Sequence, residues 1–360
     1  MIKVLIVEDS RTVSQYLEYI LGNDPGIEII GNVANGKMAV DFVKKNKPDI
    51  ITMDIDMPVM NGLEATREIM SSIPVPIVIV TGSRDARNIN LAVEALAAGA
   101  LIVIEKPVGI GHPNEAERTK KLLSMVKTFS QVKVVKRKFE PKQKRPEITN
   151  AKPKINAGIP DVSEFLQKKY VAIGISTGGP QVLAEIFSQI PIGFPFPILV
   201  VQHISKGFLE GMVTWLNRLC QIPIHIASNA EVPLPGHIYF APDSFQMGIR
   251  NDKIVLGKYE KDIIICPSVE ALFNSLSINN AKDTIALLLT GMGNDGATGI
   301  KALKDAGAIT IAQDKESSLV HGMPGEAIKL NGATYILNPA QIIELLLRIE
   351  KHTLNKRIYK

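Results

Sequence analysis

Short apolar runs recur along the chain, and stretches with a helical repeat separate them. Lys3-Val4-Leu5-Ile6-Val7, Ile50-Ile51-Thr52-Met53 and Ile77-Val78-Ile79-Val80 come early; Val171-Ala172-Ile173-Gly174-Ile175, Ile198-Leu199-Val200-Val201 and Ile285-Ala286-Leu287-Leu288-Leu289 come late. Uninterrupted apolar runs of this length, rich in β-branched residues, are the pattern of strands buried on both faces. Between them Ile89-x-x-Ala92-Val93-x-x-Leu96-Ala97 and, near the end, Ile342-Ile343-x-x-Leu346-Leu347 place apolar residues on one helical face, as core-packing helices do. Strands alternating with helices predict an α/β fold: two doubly wound domains, each a mainly parallel sheet flanked by helices.

The junction between the halves has a different composition. Lys133 through Lys154 holds nine Lys or Arg against two glutamates, interrupted by Pro141, Pro146 and Pro153. That net +7 exceeds the +5 of the whole chain, so the remainder sums to −2 and the basic balance belongs to this segment. It reads as an extended, solvated, Pro-containing linker. Without a reading helix or an aromatic platform beside it, the basic run does not imply nucleic acid or an acidic membrane surface as partner.

Polar residues at the ends of the apolar runs carry the candidate chemistry. In the late half, Gly174-Ile175-Ser176-Thr177-Gly178-Gly179 delivers a serine into a glycine-rich turn, the setting of a nucleophile elbow, although a phosphate-binding or purely structural turn fits the short pattern too. Val201-Gln202-His203 ends a second strand in a histidine, and Thr290-Gly291-Met292-Gly293-Asn294-Asp295 follows a third with an aspartate. In an open α/β sheet such residues converge in the crevice at the strands' carboxyl ends, where Ser176, His203 and Asp295 would form a nucleophile–base–orienter triad. His321 is a rival base, because Ser176, Asp295, His321 is the chain order usual in α/β-hydrolases.

In the early half, Glu8 and Asp9 follow the first strand and Asp54 follows another. Clustered carboxylates repel one another and attract a hard cation, so an oxygen-only Mg²⁺ site of Glu8, Asp9 and Asp54 is expected, with Asp54 as a phosphoryl acceptor. Lys106, before Pro107, would offset phosphoryl charge, and Thr81, at the end of its strand, would hydrogen-bond a phosphoryl oxygen.

Two resemblances follow. Asp54-x-x-Met57-Pro58-x-Met60-x-Gly62 is similar to response-regulator receiver domains over residues 1 to about 128. The serine, histidine and aspartate segments, with Pro235-Gly236-His237-Ile238-Tyr239-Phe240-Ala241-Pro242 and Pro267-Ser268-Val269-Glu270-Ala271-Leu272-Phe273, resemble the chemotaxis protein-glutamate methylesterase family. The resemblance implies hydrolysis of glutamate γ-methyl esters on methyl-accepting chemotaxis receptors with release of methanol, deamidation of receptor glutamines, a chemotaxis histidine kinase as phosphodonor, and occlusion of the cleft by the unphosphorylated receiver. It also implies that backbone amides of Thr177 and Met292 face the oxyanion, and that the esterase chemistry needs no cofactor. The expected division is a receiver at 1–128, a linker at 129–167 and a catalytic domain at 168–352.

The chain departs from these patterns twice. Gly325 in Gly322-Met323-Pro324-Gly325-Glu326-Ala327 replaces a usual arginine, and Val103 replaces the usual aromatic three residues before the receiver lysine. The alternative of another class is a non-enzymatic response regulator whose second domain binds a partner. Two cysteines without a metal-binding spacing, no signal peptide and no apolar stretch of the roughly 18 residues that span a bilayer lead to the expectation of a cytoplasmic, non-inserted protein.

Overall fold

The computed structural model describes residues 1–82, 86–109, 111–132, 134, 160–258 and 265–358. The chain separates into two compact units, Met1–Pro160 and Asp161–Lys360. Almost all of the basic Lys133–Lys154 stretch, and with it most of the expected linker, lies outside the described residues.

The first unit alternates β1 (Ile2–Val7), α1 (Arg11–Gly22), β2 (Ile27–Val33), α2 (Gly36–Lys45), β3 (Ile50–Met53), α3 (Gly62–Ser72), β4 (Ile77–Thr81), α4 (Ala86–Ala97), β5 (Ile102–Glu105) and α5 (Glu115–Phe129). Its sheet has the order β2-β1-β3-β4-β5, and all of its strand pairs are parallel. Every residue of β3 and β4 is buried, as the unbroken apolar runs require. Helix starts are specified locally: Asn35 caps α2 through Met38 N, and Asn61 and Glu64 form a reciprocal capping box on α3.

The second unit contains β6 (Tyr170–Ile175), α6 (Gly179–Phe187), β7 (Ile198–Gln202), α7 (Leu209–Asn217), β8 (Ile224–Ile226), β9 (Ile238–Phe240), β10 (Phe245–Arg250), β11 (Lys253–Lys258), α8 (Val269–Asn279), β12 (Thr284–Leu288), α9 (Ala297–Asp305), β13 (Ile309–Gln313), α10 (Met323–Lys329), β14 (Tyr335–Leu337) and α11 (Pro339–Ile358). Seven strands form one parallel sheet, β14-β13-β12-β6-β7-β9-β8. The chain winds outward from β6 to one side through β7, β8 and β9, then returns to the other side with β12. The crevice therefore opens at the carboxyl end of β6, where the winding reverses.

An antiparallel hairpin of β10 and β11 is added to this parallel frame. Its turn residues Asn251 and Asp252 have φ of 51° and 56°, the left-handed pair of a two-residue hairpin that Asn and Asp tolerate best. The hairpin packs on α8, where Ser275 Oγ accepts from Ile249 N at 2.6 Å. A 3-10 turn, Val162–Phe165, precedes β6; its Val162 and Phe165 are buried and Phe165 packs on the Tyr335 ring. Residues 161–167, expected in the linker, thus begin the second folded unit.

Candidate active site and phosphoryl-acceptor pocket

Both pockets arise from one device: a residue placed one step beyond a paired strand end. In the second unit Ile175 of β6 pairs with Gln202 of β7, so Ser176 and His203 are the next residues on adjacent strands. His203 N still donates to Ile175 O at 3.0 Å, and Ser176 N donates to Thr290 O at 3.0 Å, which ties the serine to the strand on its other side. β12 delivers Asp295 from the far flank of β6. There His203 Nε2 stands 2.8 Å from Asp295 Oδ2. Ser176 is half-buried at the head of this group.

Asp295 is held by more than the histidine. Its carboxylate accepts from Val269 N at 2.7 Å, Glu270 N at 3.0 Å and Ser268 Oγ at 2.8 Å, so it crowns the N-terminus of α8. Unsatisfied amides and the helix dipole favour an anion there. Burial alone would raise this carboxyl; the His203 contact, Ser268 and the Glu270 amide more than offset it and hold it below the ordinary range. Ser268 N in turn donates to Gln246 Oε1 at 2.7 Å, so β10 supports the seat.

Glycines let the loops meet. A Cβ at Gly291 would stand 2.8 Å from Ser176 Cβ and 2.3 Å from Met323 Sδ, and Gly178 adopts φ of 79° between nucleophile and helix. Thr177 is buried and its carbonyl accepts from Thr290 Oγ1 at 2.9 Å, while Met292 is 41% exposed on the facing loop. Among the described residues neither the Thr177 nor the Met292 amide donates a backbone hydrogen bond.

The rival base has a different partner. His321 forms an isolated bridge with Gly291, but its Nδ1 is 3.2 Å from Ser318 Oγ. Burial, and after it the nearby Lys315 ammonium, lowers the pKa of its ring. Gly325 lies against this ring: a Cβ there would meet His321 Cδ2 at 3.0 Å.

In the first unit Val7 pairs with Met53, so Glu8 and Asp54 leave adjacent strands together. Ligand oxygens of Glu8, Asp9 and Asp54 lie within 4.8 Å of one another. Lys106 Nζ is 2.8 Å from Glu8 Oε2 and 2.9 Å from Asp54 Oδ2, and Lys106 N donates to Thr81 O at 3.0 Å. Burial raises the carboxyls of Glu8 and Asp54 despite the lysine, and repulsion from neighbouring carboxylates adds to it. The Lys106 ammonium loses hydration, yet its two carboxylate partners hold its pKa above the ordinary value. One cation against three carboxylates leaves a net −2, and an all-oxygen donor set suits a hard divalent ion. Thr81 is buried at the end of β4. Val103 is buried in β5 beside Ile79, where its short aliphatic side chain offers no ring to rotate.

Two contributors had no role assigned from sequence although their segments were recognised: Ser268 and Gln202. Ser268 carried a signal, a Ser directly before an apolar helical run, which is an N-cap pattern. Gln202 carried none, since a glutamine at a strand end reads as solvated.

A five-stranded receiver fold with a carboxylate–lysine pocket, joined to a parallel α/β unit with serine, histidine and aspartate at its switch point, defines the class: a response regulator with a hydrolase-type output unit. Residues 171–346 match the family model for CheB methylesterase, and residues 4–115 match that for the response regulator receiver domain. A protein-glutamate methylesterase/protein-glutamine glutaminase of Nitrosospira multiformis is 47% identical over 338 residues, covering 94% of each chain. A relative of the same description from Geobacter metallireducens is 46% identical over 348 residues, covering 96% of this chain and 98% of its own. The crystal structure of the Thermotoga maritima CheB methylesterase catalytic domain is 37% identical, covering 51% of this chain and 98% of that one, with a TM-score of 0.48. The chain belongs to the CheB methylesterase family. Among the described residues no helix is long and apolar enough to cross a membrane.

Proposed function

We propose that the protein hydrolyses glutamate γ-methyl esters, and deamidates glutamines, on chemotaxis receptors, under control of phosphorylation at Asp54. The observation that carries the reading is the 2.8 Å approach of His203 Nε2 to Asp295 Oδ2, beside a strand register that makes Ser176 and His203 the next residues after a paired position. With Nε2 facing the carboxylate, Nδ1 is the nitrogen that takes the Ser176 proton as Oγ attacks the γ-carbonyl. The Thr177 and Met292 amides receive the oxyanion. His203 returns the proton to the departing methanol, or to ammonia from a glutamine, and then activates the water that hydrolyses the acyl-enzyme. Asp295 stays ionised throughout and orients the ring. His203 is favoured over His321 because it, and not His321, is paired to that carboxylate.

In the receiver, Glu8, Asp9 and Asp54 would hold Mg²⁺, which when bound neutralises charge on the incoming phosphoryl group. Asp54 accepts the phosphoryl group from a chemotaxis histidine kinase, Lys106 pairs with a phosphoryl oxygen, and Thr81 hydrogen-bonds it. Occlusion of the Ser176 cleft by the unphosphorylated receiver rests on the family resemblance. The reading carries a cytoplasmic location with it, where the kinase acts and Cys220 and Cys266 stay reduced. Methanol release from methylated receptor membranes by the intact protein and by Ser176→Ala tests the proposal. Equal release from both would discard the serine mechanism.

A further inference from the structure

Gln202, the last residue of β7, is 4% exposed, and its amide spans the two halves of the cleft. Its Nε2 donates to Ser176 O at 2.9 Å and to His203 O at 2.7 Å. Both partners are carbonyls, which only accept, so the reversed amide would set oxygen against oxygen at both contacts. The partners themselves thus assign the donor. Oε1 is left buried without a hydrogen-bond partner among the described residues, facing Gly179, where a Cβ would stand only 2.0 Å away. A buried unpaired carbonyl costs stability that an aliphatic side chain of similar length would not lose. A buried glutamine that leaves one oxygen orphaned has to be explained by its two donations.

Those donations fall where the sheet stops. The β6–β7 ladder ends at Ile175 and Gln202, with His203 N to Ile175 O the last backbone bond. Beyond it the chains diverge, Ser176 toward α6 and His203 into the following loop. We infer that Gln202 is a positioning residue: its side-chain amide serves as one further rung of the ladder and sets the spacing of Ser176 and His203 before substrate arrives. The inference rests on the reading of these two as nucleophile and base. It also explains the second glycine of the elbow, because any side chain at Gly179 displaces the rung.

The test uses phosphorylated full-length protein, with initial rates of methanol release from receptor membranes and the rate of Ser176 modification by phenylmethylsulfonyl fluoride. Gln202→Met keeps the length, removes both donors and removes the orphaned acceptor, so it should unfold at a temperature close to wild type. Its kcat should fall by about 10- to 100-fold with KM within about twofold, as a displacement of an ångström or less can do, and serine modification should slow in step. Gly179→Ala pushes on Oε1 and should lower kcat comparably. Combined with Gln202→Met it should add less than about twofold, because neighbours acting through one contact are not additive. A folded Gln202→Met with wild-type kcat, or with its whole loss in KM, overturns the inference. If Gln202→Met does not fold, folded Gly179→Ala decides: reduced kcat supports the rung and wild-type kcat overturns it. Ser176→Ala is run beside them; if it stays active the serine reading fails, whereas a dead Ser176→Ala beside a fully active Gln202→Met overturns the rung alone.

Discussion

The Ser268 hydroxyl donates to Asp295 Oδ1 at 2.8 Å, and through this bond the start of α8 becomes the seat of the carboxylate that faces His203. Asp295 has a depressed pKa in the fold, so its contribution to stability is complete above its unfolded value of about 3.9 and is lost as pH falls through the lower folded value. Ser268→Ala should cost about 1.5–3 kcal/mol near pH 7, the range for a bond to a charged group. The deficit should shrink in strong acid. Urea unfolding of both proteins across pH 2 to 7 measures it; a deficit independent of pH would mean that Ser268 acts only as a helix cap.

Ser176→Ala and His203→Ala should each remove nearly all esterase turnover, and the double variant should lose little more. Members of a triad act as a unit, leaving roughly 10³ to 10⁴ over water from oxyanion and binding contacts. His321→Ala should keep most activity, since its ring contacts Ser318 instead of a carboxylate. Steady-state methanol release ranks the four, and an inactive His321→Ala beside an active His203→Ala would reverse the assignment.

Asp54→Asn should abolish Mg²⁺-dependent phosphorylation. Because Glu8 and Asp54 are raised by burial, the metal-free pocket holds protons above the ordinary carboxylate range, and ionising it as pH rises costs the fold stability. Mg²⁺ competes with those protons. The gain in receiver melting temperature on adding Mg²⁺ should therefore grow as pH rises through the titration of these carboxyls in wild type and be much smaller in Asp54→Asn. Calorimetry with and without the ion tests this, and a gain flat with pH would place binding elsewhere.

Removing the receiver and the basic segment should raise basal esterase activity, and phosphorylation should bring the intact chain toward the same rate. If about 99% of unphosphorylated molecules are closed, opening yields at most about a hundredfold, or roughly 2.7 kcal/mol of docking. Initial rates of the three forms on the same receptor membranes decide. A truncated form no faster than the resting intact chain would eliminate occlusion.

Much of this protein is legible in its sequence. Apolar runs such as Ile77–Val80 and Ile198–Val201 specify buried parallel strands because backbone hydrogen bonding and two-sided burial leave such a run few other solutions. The candidate residues stood out because polar groups that end these runs must emerge at the sheet's carboxyl edge. The hairpin at Asn251–Asp252 and the turn at Val162–Phe165 were missed: the first is short and the second sits beside a basic, Pro-containing stretch whose composition masks it.

The preference for His203 over His321 in the proposed mechanism rests on the tertiary structure, because chain order carries no distance. Strand register set Ser176 beside His203, and the reversal of winding at β6 brought Asp295 in from the opposite flank. The supporting contacts were decided there as well. Gln202 bonds a residue 26 positions away and Ser268 one 27 positions away, and local pattern carries no record of such pairings. The clearance at Gly179 is likewise set by a side chain from the neighbouring strand. What the sequence determined alone was the periodicity of burial, and with it the two sheets and the strand ends where chemistry would emerge; which of those ends meet is a property of the closed fold.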